Sequence, residues 1–283
     1  MAGGRGALAA EGLVRRHERD MERLERLRPI DDDFMRVLYR GDAALTEETL
    51  RIVTGLGDLV VVEQDTQYDL RRLAGARSVE LDVWAVDSSG RWHDIEVQRG
   101  VIARPRRARY HSAAMDVEAL GAGEEPEGLP EQWVVFVMEG DPFGSGRGRY
   151  EFGRVDKVDG RTLGDGSHVL YVNGAYRGDD DLGRLMHDFC ESDPDAMLNA
   201  LMAERVRYFK RTPKGEAEMC EVFDEIREEG IEIGIEQGIE QGIEKTLVEG
   251  VRSLMSKLGV TAQEALRLLG VPESGQAHYL SML

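Results

Sequence analysis

Two acidic side chains, Asp82 and Glu96, are the residues of this sequence whose types and spacing best fit metal chemistry. Residues 79–98 alternate in polarity on either side of residues 87–90, Asp-Ser-Ser-Gly, which predicts two strands joined by a type I turn with a bulge glycine. In that register Asp82 faces Glu96. Like charges placed opposite each other are destabilising, and a cation between them would remove the repulsion. Two carboxylates with bound water suit Mg²⁺, an ion that can activate water and stabilise charge on a leaving oxygen.

The same register places Gln98 on the face that carries Glu96, where its amide can hydrogen-bond an attacking water. A solvated acidic face without a metal also fits the pattern, because acids on exposed strand faces are ordinary. The register predicts three further facing pairs: Val86 with Trp92, Trp84 with Asp94, and Glu80 with Gln98. The opposite, mostly apolar face carries Leu81, Val83, Ala85, His93, Ile95 and Val97.

These residues resemble a known nuclease superfamily. Asp82 followed by residues 96–98, Glu-Val-Gln, is similar to the D…E-x-K core of the PD-(D/E)xK nucleases, with Gln in place of the usual Lys. The surrounding phrases resemble the bacterial PD-(D/E)xK family transposases, also called recombination-promoting nucleases, over about residues 31–230. These phrases are LDV at 81–83, DIEVQR at 94–99, RARYHS at 107–112 and YVNGAY at 171–176.

The resemblance implies a fold and a set of site residues. The fold is α/β, a restriction-endonuclease-like mixed sheet flanked by helices, with an α-helical C-terminal extension. Asp82 and Glu96 would hold Mg²⁺, with Mn²⁺ as the alternative ion, and Gln98 would occupy the lysine position. Members of the superfamily often add an acid from a preceding helix, and Glu47 or Glu48 is the candidate for it.

An arginine-rich segment follows the predicted hairpin. Residues 99–109 contain five arginines and no acid, so we expect this segment to contact phosphates. Tyr110 and His111 would lie near the acidic site and contact a phosphate or a base. Alternatively, Tyr110 packs on the sheet and His111 is hydrogen-bonded locally. The nucleic-acid-binding candidates are Arg99, Arg106, Arg107, Arg109, Tyr110 and His111.

Composition bounds the possible partners. The net charge is −18, which opposes nucleic-acid binding, but residues 179–250 hold 20 acids against 8 Lys or Arg, a balance of −12. Most of the excess therefore lies away from the arginine-rich segment, and DNA binding is expected to be weak or regulated. Without an apolar stretch of about 18 residues or a signal-peptide pattern, and with only Cys190 and Cys220 as free thiols, we expect a cytoplasmic protein without a membrane span.

The chain is predicted to have five segments. These are a charged lead-in (1–30), a nuclease-like core (31–178), a helical extension (179–229), a Gly-Ile-Glu repeat (230–245) and a small helical unit (246–283). On a helix, the period of four in the repeat forms rows of Gly and Ile that permit close approach of a second helix. We therefore expect a homo-oligomer that forms through this repeat, and the alternative is that the repeat is a flexible, repeat-expanded linker. In the last segment Thr261 and Glu264 predict a capping box.

The first functional hypothesis is a Mg²⁺-dependent DNA endonuclease that hydrolyses phosphodiester bonds, of the transposase or recombination-promoting type. The alternative is a catalytically inactive nuclease-fold protein that self-associates through its C-terminal helices, motivated by the missing lysine, the acidity and the repeat. A nuclease acting on RNA is a third hypothesis, and nothing in the sequence separates it from the first.

Overall fold

The computed structural model describes residues 3–70 and 79–283, so the first two residues of the predicted lead-in lie outside it. The chain divides into two units, Met1–Glu218 and Met219–Leu283. Helices α1 to α6 are Gly3–Arg26, Asp32–Tyr39, Ala43–Thr54, Pro105–Ala119, Asp181–Phe189 and Ala200–Arg211. Strands β1 to β6 are Val61–Asp69, Glu80–Asp87, Trp92–Gln98, Gln132–Met138, Arg149–Phe152 and Ser167–Asn173. Helices α7 to α9 are Pro213–Leu258, Ala262–Leu268 and Glu273–Leu280, and a short 3₁₀ helix spans Pro126–Gly128.

The six strands form one mixed sheet in the order β1-β2-β3-β4-β6-β5. Pairs β1–β2, β2–β3 and β5–β6 are antiparallel, whereas β3–β4 and β4–β6 are parallel. Helix α4 makes the crossover between β3 and β4, as a parallel pair requires. The mixed α/β class with flanking helices and a long C-terminal helix is therefore confirmed.

The hairpin has the predicted turn and register. Gly90 adopts a left-handed φ of 78°, and its N–H donates to the carbonyl of Asp87 at 2.9 Å. The Asp87 N–H in turn donates to the carbonyl of Arg91 at 3.0 Å. Backbone pairing of β2 with β3 runs from Val86–Trp92 through Trp84–Asp94 to Val83–Ile95, which confirms two predicted pairs. The predicted pairs Asp82–Glu96 and Glu80–Gln98 lie beyond these paired residues.

Both faces of the central strands are covered. Every residue of β4 is buried, as its continuous apolar sequence predicts, and so are the five interior residues of β3. Helix α4 packs on one face of the sheet through Ala108 and Met115, next to Trp84 and Phe136. The predicted solvated acidic face is therefore wrong, because Asp82, Asp94 and Glu96 are buried.

The C-terminal unit is helical. The Gly-Ile-Glu repeat lies within the long helix α7, and its isoleucines are exposed. The predicted capping box of Thr261 and Glu264 is confirmed at the start of α8. Val251, Ala265 and Leu266 form a small core. No helix among the residues described has the length and apolar character needed to cross a membrane.

Candidate metal site

Three carboxylates are buried on neighbouring strands. Asp82 lies on β2, and Asp94 and Glu96 lie two residues apart on β3, so strand alternation points the latter two to one face. Asp94 and Glu96 are fully buried and Asp82 is 5% exposed. Buried carboxylates are costly unless they are hydrogen-bonded, paired or bound to a metal.

Backbone amides satisfy part of this cluster. The N–H of Asp82 donates to Oε1 of Glu96 at 3.0 Å, and the N–H of Val97 donates to Oδ2 of Asp82 at 3.3 Å. Each carboxylate thus accepts a hydrogen bond from the backbone of the opposite strand. These contacts hold the two side chains in place just beyond the paired part of the hairpin.

Helix α4 places a histidine and an arginine over the acids. Arg107 and His111 are four residues apart and so lie on one helix face. Nδ1 of His111 is 3.0 Å from Oδ2 of Asp94 and 3.7 Å from Oε1 of Glu96, and Arg107 forms an ion pair with Oε2 of Glu96. Arg107 also donates from Nε to Nε2 of His111 at 3.3 Å. These partners assign the proton of the neutral imidazole to Nδ1, which donates to Asp94, so a metal bound through Nδ1 would displace that proton.

Asp94, Glu96 and His111 together fit a cation. One ligand atom from each lies within 4.8 Å of the other two, and all three residues are buried. Oδ1 of Asp94 is buried without a hydrogen-bond partner among the residues described. A metal ion bound here would complete the coordination of that oxygen and neutralise the crowded negative charge.

Burial shifts the ionisation of every member of the group. It raises the pKa of Glu96 well above the usual range, and the charges of Asp94 and Asp82 add to the shift. Burial also raises the pKa of Asp94 well above its usual range, again with a contribution from Asp82. The pKa of Asp82 is raised by burial and then by Asp32, and that of His111 is lowered by burial. The group therefore holds carboxylates in an environment that favours a bound cation or proton.

Helix α2 contributes charged groups at the edge of the cluster. Nη2 of Arg36 lies 3.5 Å from Oδ1 of Asp82 and 3.6 Å from Oδ2 of Asp32. Asp32 is the second-largest cause of the raised pKa of Asp82. The acid that a preceding helix places close to the cluster is therefore Asp32, and not the predicted Glu47 or Glu48.

The predicted third acids, Glu47 and Glu48, have other partners. Glu47 accepts a hydrogen bond from the N–H of Val61 at 2.9 Å and pairs with Arg51 at 2.8 Å. Val61 pairs with Asp87, at the end of β2 away from Asp82. Glu48 accepts a hydrogen bond from Asn199 at 2.7 Å. The structure therefore does not bring either glutamate into the cluster.

Gln98 and the predicted nucleic-acid contacts fall into two groups. Gln98 donates from Nε2 to the carbonyl of Ile102 at 3.3 Å, so it is tied to the loop before α4. Arg107 and His111 belong to the acidic cluster. The others lie at the surface: Arg99, whose Nε is 3.6 Å from Oδ1 of Asp31, and Arg106, Arg109 and Tyr110, which are exposed on α4.

Sequence reasoning missed Asp94 as a candidate ligand. The hairpin register gave its position opposite Trp84, and its spacing of two from Glu96 places both on one face. This spacing indicated that Asp94 lies beside Glu96, whereas the D…E-x-K pattern includes only Asp82 and Glu96. For His111 the two expectations were contact with a phosphate or a base and a local hydrogen bond, and the structure shows the local one, to Asp94.

Comparisons of the chain with models of protein families, with curated proteins and with solved structures find no match.

Proposed function

We propose that this chain is a divalent-metal-dependent endonuclease of the PD-(D/E)xK class, which hydrolyses phosphodiester bonds in DNA and is of the recombination-promoting type. The observation that carries the proposal is the buried group of Asp82, Asp94 and Glu96 on a sheet, beneath His111. Perturbed, buried titratable groups clustered around one point are typical of functional sites.

Two overlapping sets of ligands are available for the metal. Asp82 and Glu96 offer only oxygen, which suits Mg²⁺, whereas Asp94, Glu96 and His111 add an imidazole nitrogen, which favours a transition metal such as Mn²⁺. A bound divalent ion would supply Lewis acidity and an activated water. Glu96 is common to both sets, so its substitution tests both sets of metal ligands at once.

The positive charge that a lysine would supply is provided by Arg107. Its guanidinium pairs with Glu96 and lies 5.6 Å from the centre of the Phe136 ring. Its side chain is 38% exposed, so one side remains open to a phosphate. Arginine binds phosphate in a bidentate manner and stays protonated, which suits it to stabilising charge on a phosphoryl group. Gln98 would then orient water or the adjacent loop rather than carry charge.

The proposed DNA-binding surface extends from Arg107 along α4. Arg106 and Arg109 are exposed near it, and Arg99 lies at the end of β3. Phosphate contacts from this surface would position the strand without reading its sequence.

We also propose that the chain forms a homo-oligomer through α7. Ile231, Ile235, Ile239 and Ile243 are each more than half exposed, and a Cβ at any of the repeat glycines would meet no atom within 4 Å. An exposed apolar row beside a row of glycines suits close packing with a second copy of the helix. This surface also favours the second candidate function, a catalytically inactive nuclease-fold protein that acts by self-association.

The test is nicking of supercoiled plasmid with Mg²⁺, Mn²⁺ or EDTA by the wild type and by Glu96→Gln. The matched control is Glu47→Gln, which alters a glutamate paired with Arg51 instead of one in the cluster. We expect metal-dependent nicking that Glu96→Gln abolishes and Glu47→Gln retains. A folded wild-type protein that cleaves neither DNA nor a single-stranded RNA with any metal would favour the inactive, self-associating alternative.

A further inference from the structure

A cleft of about 290 Å³ lies beside α4. It is distinct in composition from the acidic cluster, because none of the residues described as lining it is acidic. Its size is near the lower end of ligand sites, which are about 300–1,000 Å³, so it fits a single ring system. The residues that line it include Arg109, Ser112, Phe143, Phe152, Arg154 and Tyr171.

Two exposed aromatic rings form part of its wall. Phe143 and Phe152 are 42% and 45% exposed, and their ring centres are 5.1 Å apart. Both rings contact Tyr171, at centre-to-centre distances of 5.6 and 6.1 Å and nearly perpendicular planes. Large, solvent-exposed apolar side chains around a cavity indicate a binding site for an apolar or aromatic group.

The polar groups of the cleft favour a ligand with negative charge. Arg109 is exposed on α4, and Arg154, which also lines the cleft, pairs with Asp165 outside the lining. The cleft also includes Pro105, the first residue of α4, whose N-cap Arg104 makes no side-chain capping hydrogen bond. The amino end of a helix carries partial positive charge, which adds to that of Arg109, whereas the charge of Arg154 is balanced by Asp165.

Three lining residues of the cleft carry hydroxyl groups that supply hydrogen-bonding capacity: Ser112, Ser167 and Tyr171. Tyr171 is 2% exposed, so its hydroxyl is largely shielded from water. Burial raises the pKa of this hydroxyl, and the nearby backbone amide of Arg104 opposes the shift. The hydroxyls of Ser112 and Ser167 are 3.1 Å apart. A serine hydroxyl can both donate and accept, so this pair retains capacity to hydrogen-bond a polar group on a ligand.

We propose that this cleft binds one unpaired nucleobase of a DNA strand, with the adjoining phosphate near Arg109. Aromatic walls bind bases by stacking, which is tolerant of sequence, and hydroxyls can bond the edge of the base. The proposal rests on the proposed function, because that function supplies the strand.

The position of the cleft relative to the acids supports this choice of ligand. Arg107 and His111 contact the acidic cluster, whereas Ala108 and Ser112, one residue further along α4, line the cleft. Phe136 separates the two regions: its ring is 5.9 Å from that of His111 and 5.3 Å from that of Tyr171. A strand with one phosphate at the cluster would therefore bring a nearby nucleotide to the cleft.

The test uses a single-stranded oligonucleotide that contains 2-aminopurine, whose fluorescence is quenched when the base stacks. Binding is measured in EDTA by anisotropy and quenching with the full chain, for the wild type, Phe152→Ala and Phe152→Tyr. We expect quenching on binding and affinity about tenfold weaker for Phe152→Ala, because loss of one base–aromatic stack has an effect of that order. Phe152→Tyr keeps an aromatic ring and should retain both signals.

Glu96→Gln separates this proposal from the proposed function. It should abolish metal-dependent cleavage and leave the quenching in EDTA unchanged, because Glu96 does not line the cleft. If quenching depends on Phe152 but the protein cleaves no DNA, the proposal that the cleft binds a base is supported and only the proposed nuclease function is overturned. Cleavage without quenching, or quenching equal in Phe152→Ala and the wild type, would overturn the cleft proposal alone. A folded protein that binds no single strand would overturn it as well.

Discussion

Oε1 of Glu96 accepts a hydrogen bond of 3.0 Å from the backbone N–H of Asp82, on the neighbouring strand. Asp82 in turn accepts from the N–H of Val97 at 3.3 Å. Two carboxylates of like charge are therefore fixed by the backbone that carries them, rather than by cations alone. This arrangement would preorganise the acids for the proposed metal ion, and Oδ1 of Asp94 is left without a hydrogen-bond partner in the described part of the chain.

We expect Asp94→Asn to stabilise the metal-free protein. Burial and Asp82 raise the pKa of Asp94, so the charged form is disfavoured, and an amide retains an oxygen for the hydrogen bond from His111. A gain of about 1 kcal/mol would raise the thermal midpoint by about 2–4 °C. The measurement is thermal unfolding in EDTA and in Mn²⁺. The interpretation fails if the variant is less stable in EDTA yet still shows the wild-type stabilisation by Mn²⁺.

Arg107 should matter more for cleavage than Gln98. Arg107→Gln removes the charge that contacts Glu96, and a loss of about 10²-fold in the cleavage rate is expected for one electrostatic contact to the reacting group. Gln98→Ala removes an amide bound to the carbonyl of Ile102 and should cost less. Single-turnover cleavage rates at saturating protein compare the two. Equal cleavage rates for Arg107→Gln and the wild type would show that another residue supplies the positive charge.

The hairpin turn should make stability depend on pH through Asp87. Burial alone would raise its pKa, but hydrogen bonds from His93 and Arg91 outweigh that effect and the pKa is lowered. The unfolded chain then binds the proton more readily, so the stabilisation is complete above the unfolded pKa of about 3.9 and is lost as pH falls through the folded pKa.

Asp87→Asn tests this dependence. We expect it to lower the free energy of unfolding by about 1.5–3 kcal/mol at pH 7, because hydrogen bonds to a charged group are lost. The difference from the wild type should shrink below about pH 4. Urea unfolding at several pH values measures it. A difference that stays constant down to pH 3 would show that the carboxylate charge is not responsible.

One substitution in the α7 repeat should increase the stability of the helix and weaken its self-association. Gly238→Ala favours the helix by about 1 kcal/mol, yet its Cβ would obstruct a second helix that packs closely on the glycine row. We expect greater helicity with weaker self-association, and Ile239→Glu should weaken association as well. Circular dichroism and light scattering measure the two properties, with Glu240→Gln as the exposed control. Unchanged association in both Gly238→Ala and Ile239→Glu would exclude this surface.

Local patterns in the sequence predicted much of the fold. The bulge glycine at Gly90 and the capping box at Thr261 each depend on neighbouring residues, and each is present. The short strand β5 was not predicted. Its four residues carry little periodic signal, and pairing with β6 defines it.

The candidate site was harder to predict because helices far apart in sequence complete it. Strand alternation placed Glu96 and Asp94 on one face, but only the packing of α4 shows that His111 covers them. Likewise, Glu47 and Asp32 are both acids on helices before the sheet. Glu47 instead bonds the start of β1, whereas Asp32 shares Arg36 with Asp82.

Calorimetric titration of Mn²⁺ tests the central claim most directly, because the proposed chemistry requires a cation at the buried acids. The comparison is between the wild type, Glu96→Gln and the control Glu47→Gln, with folding of each checked by circular dichroism. We predict binding to the wild type and to Glu47→Gln, and affinity at least about tenfold weaker for Glu96→Gln, corresponding to about 1.4 kcal/mol. Absence of Mn²⁺ binding to the wild type, or equal binding to Glu96→Gln, would contradict the account.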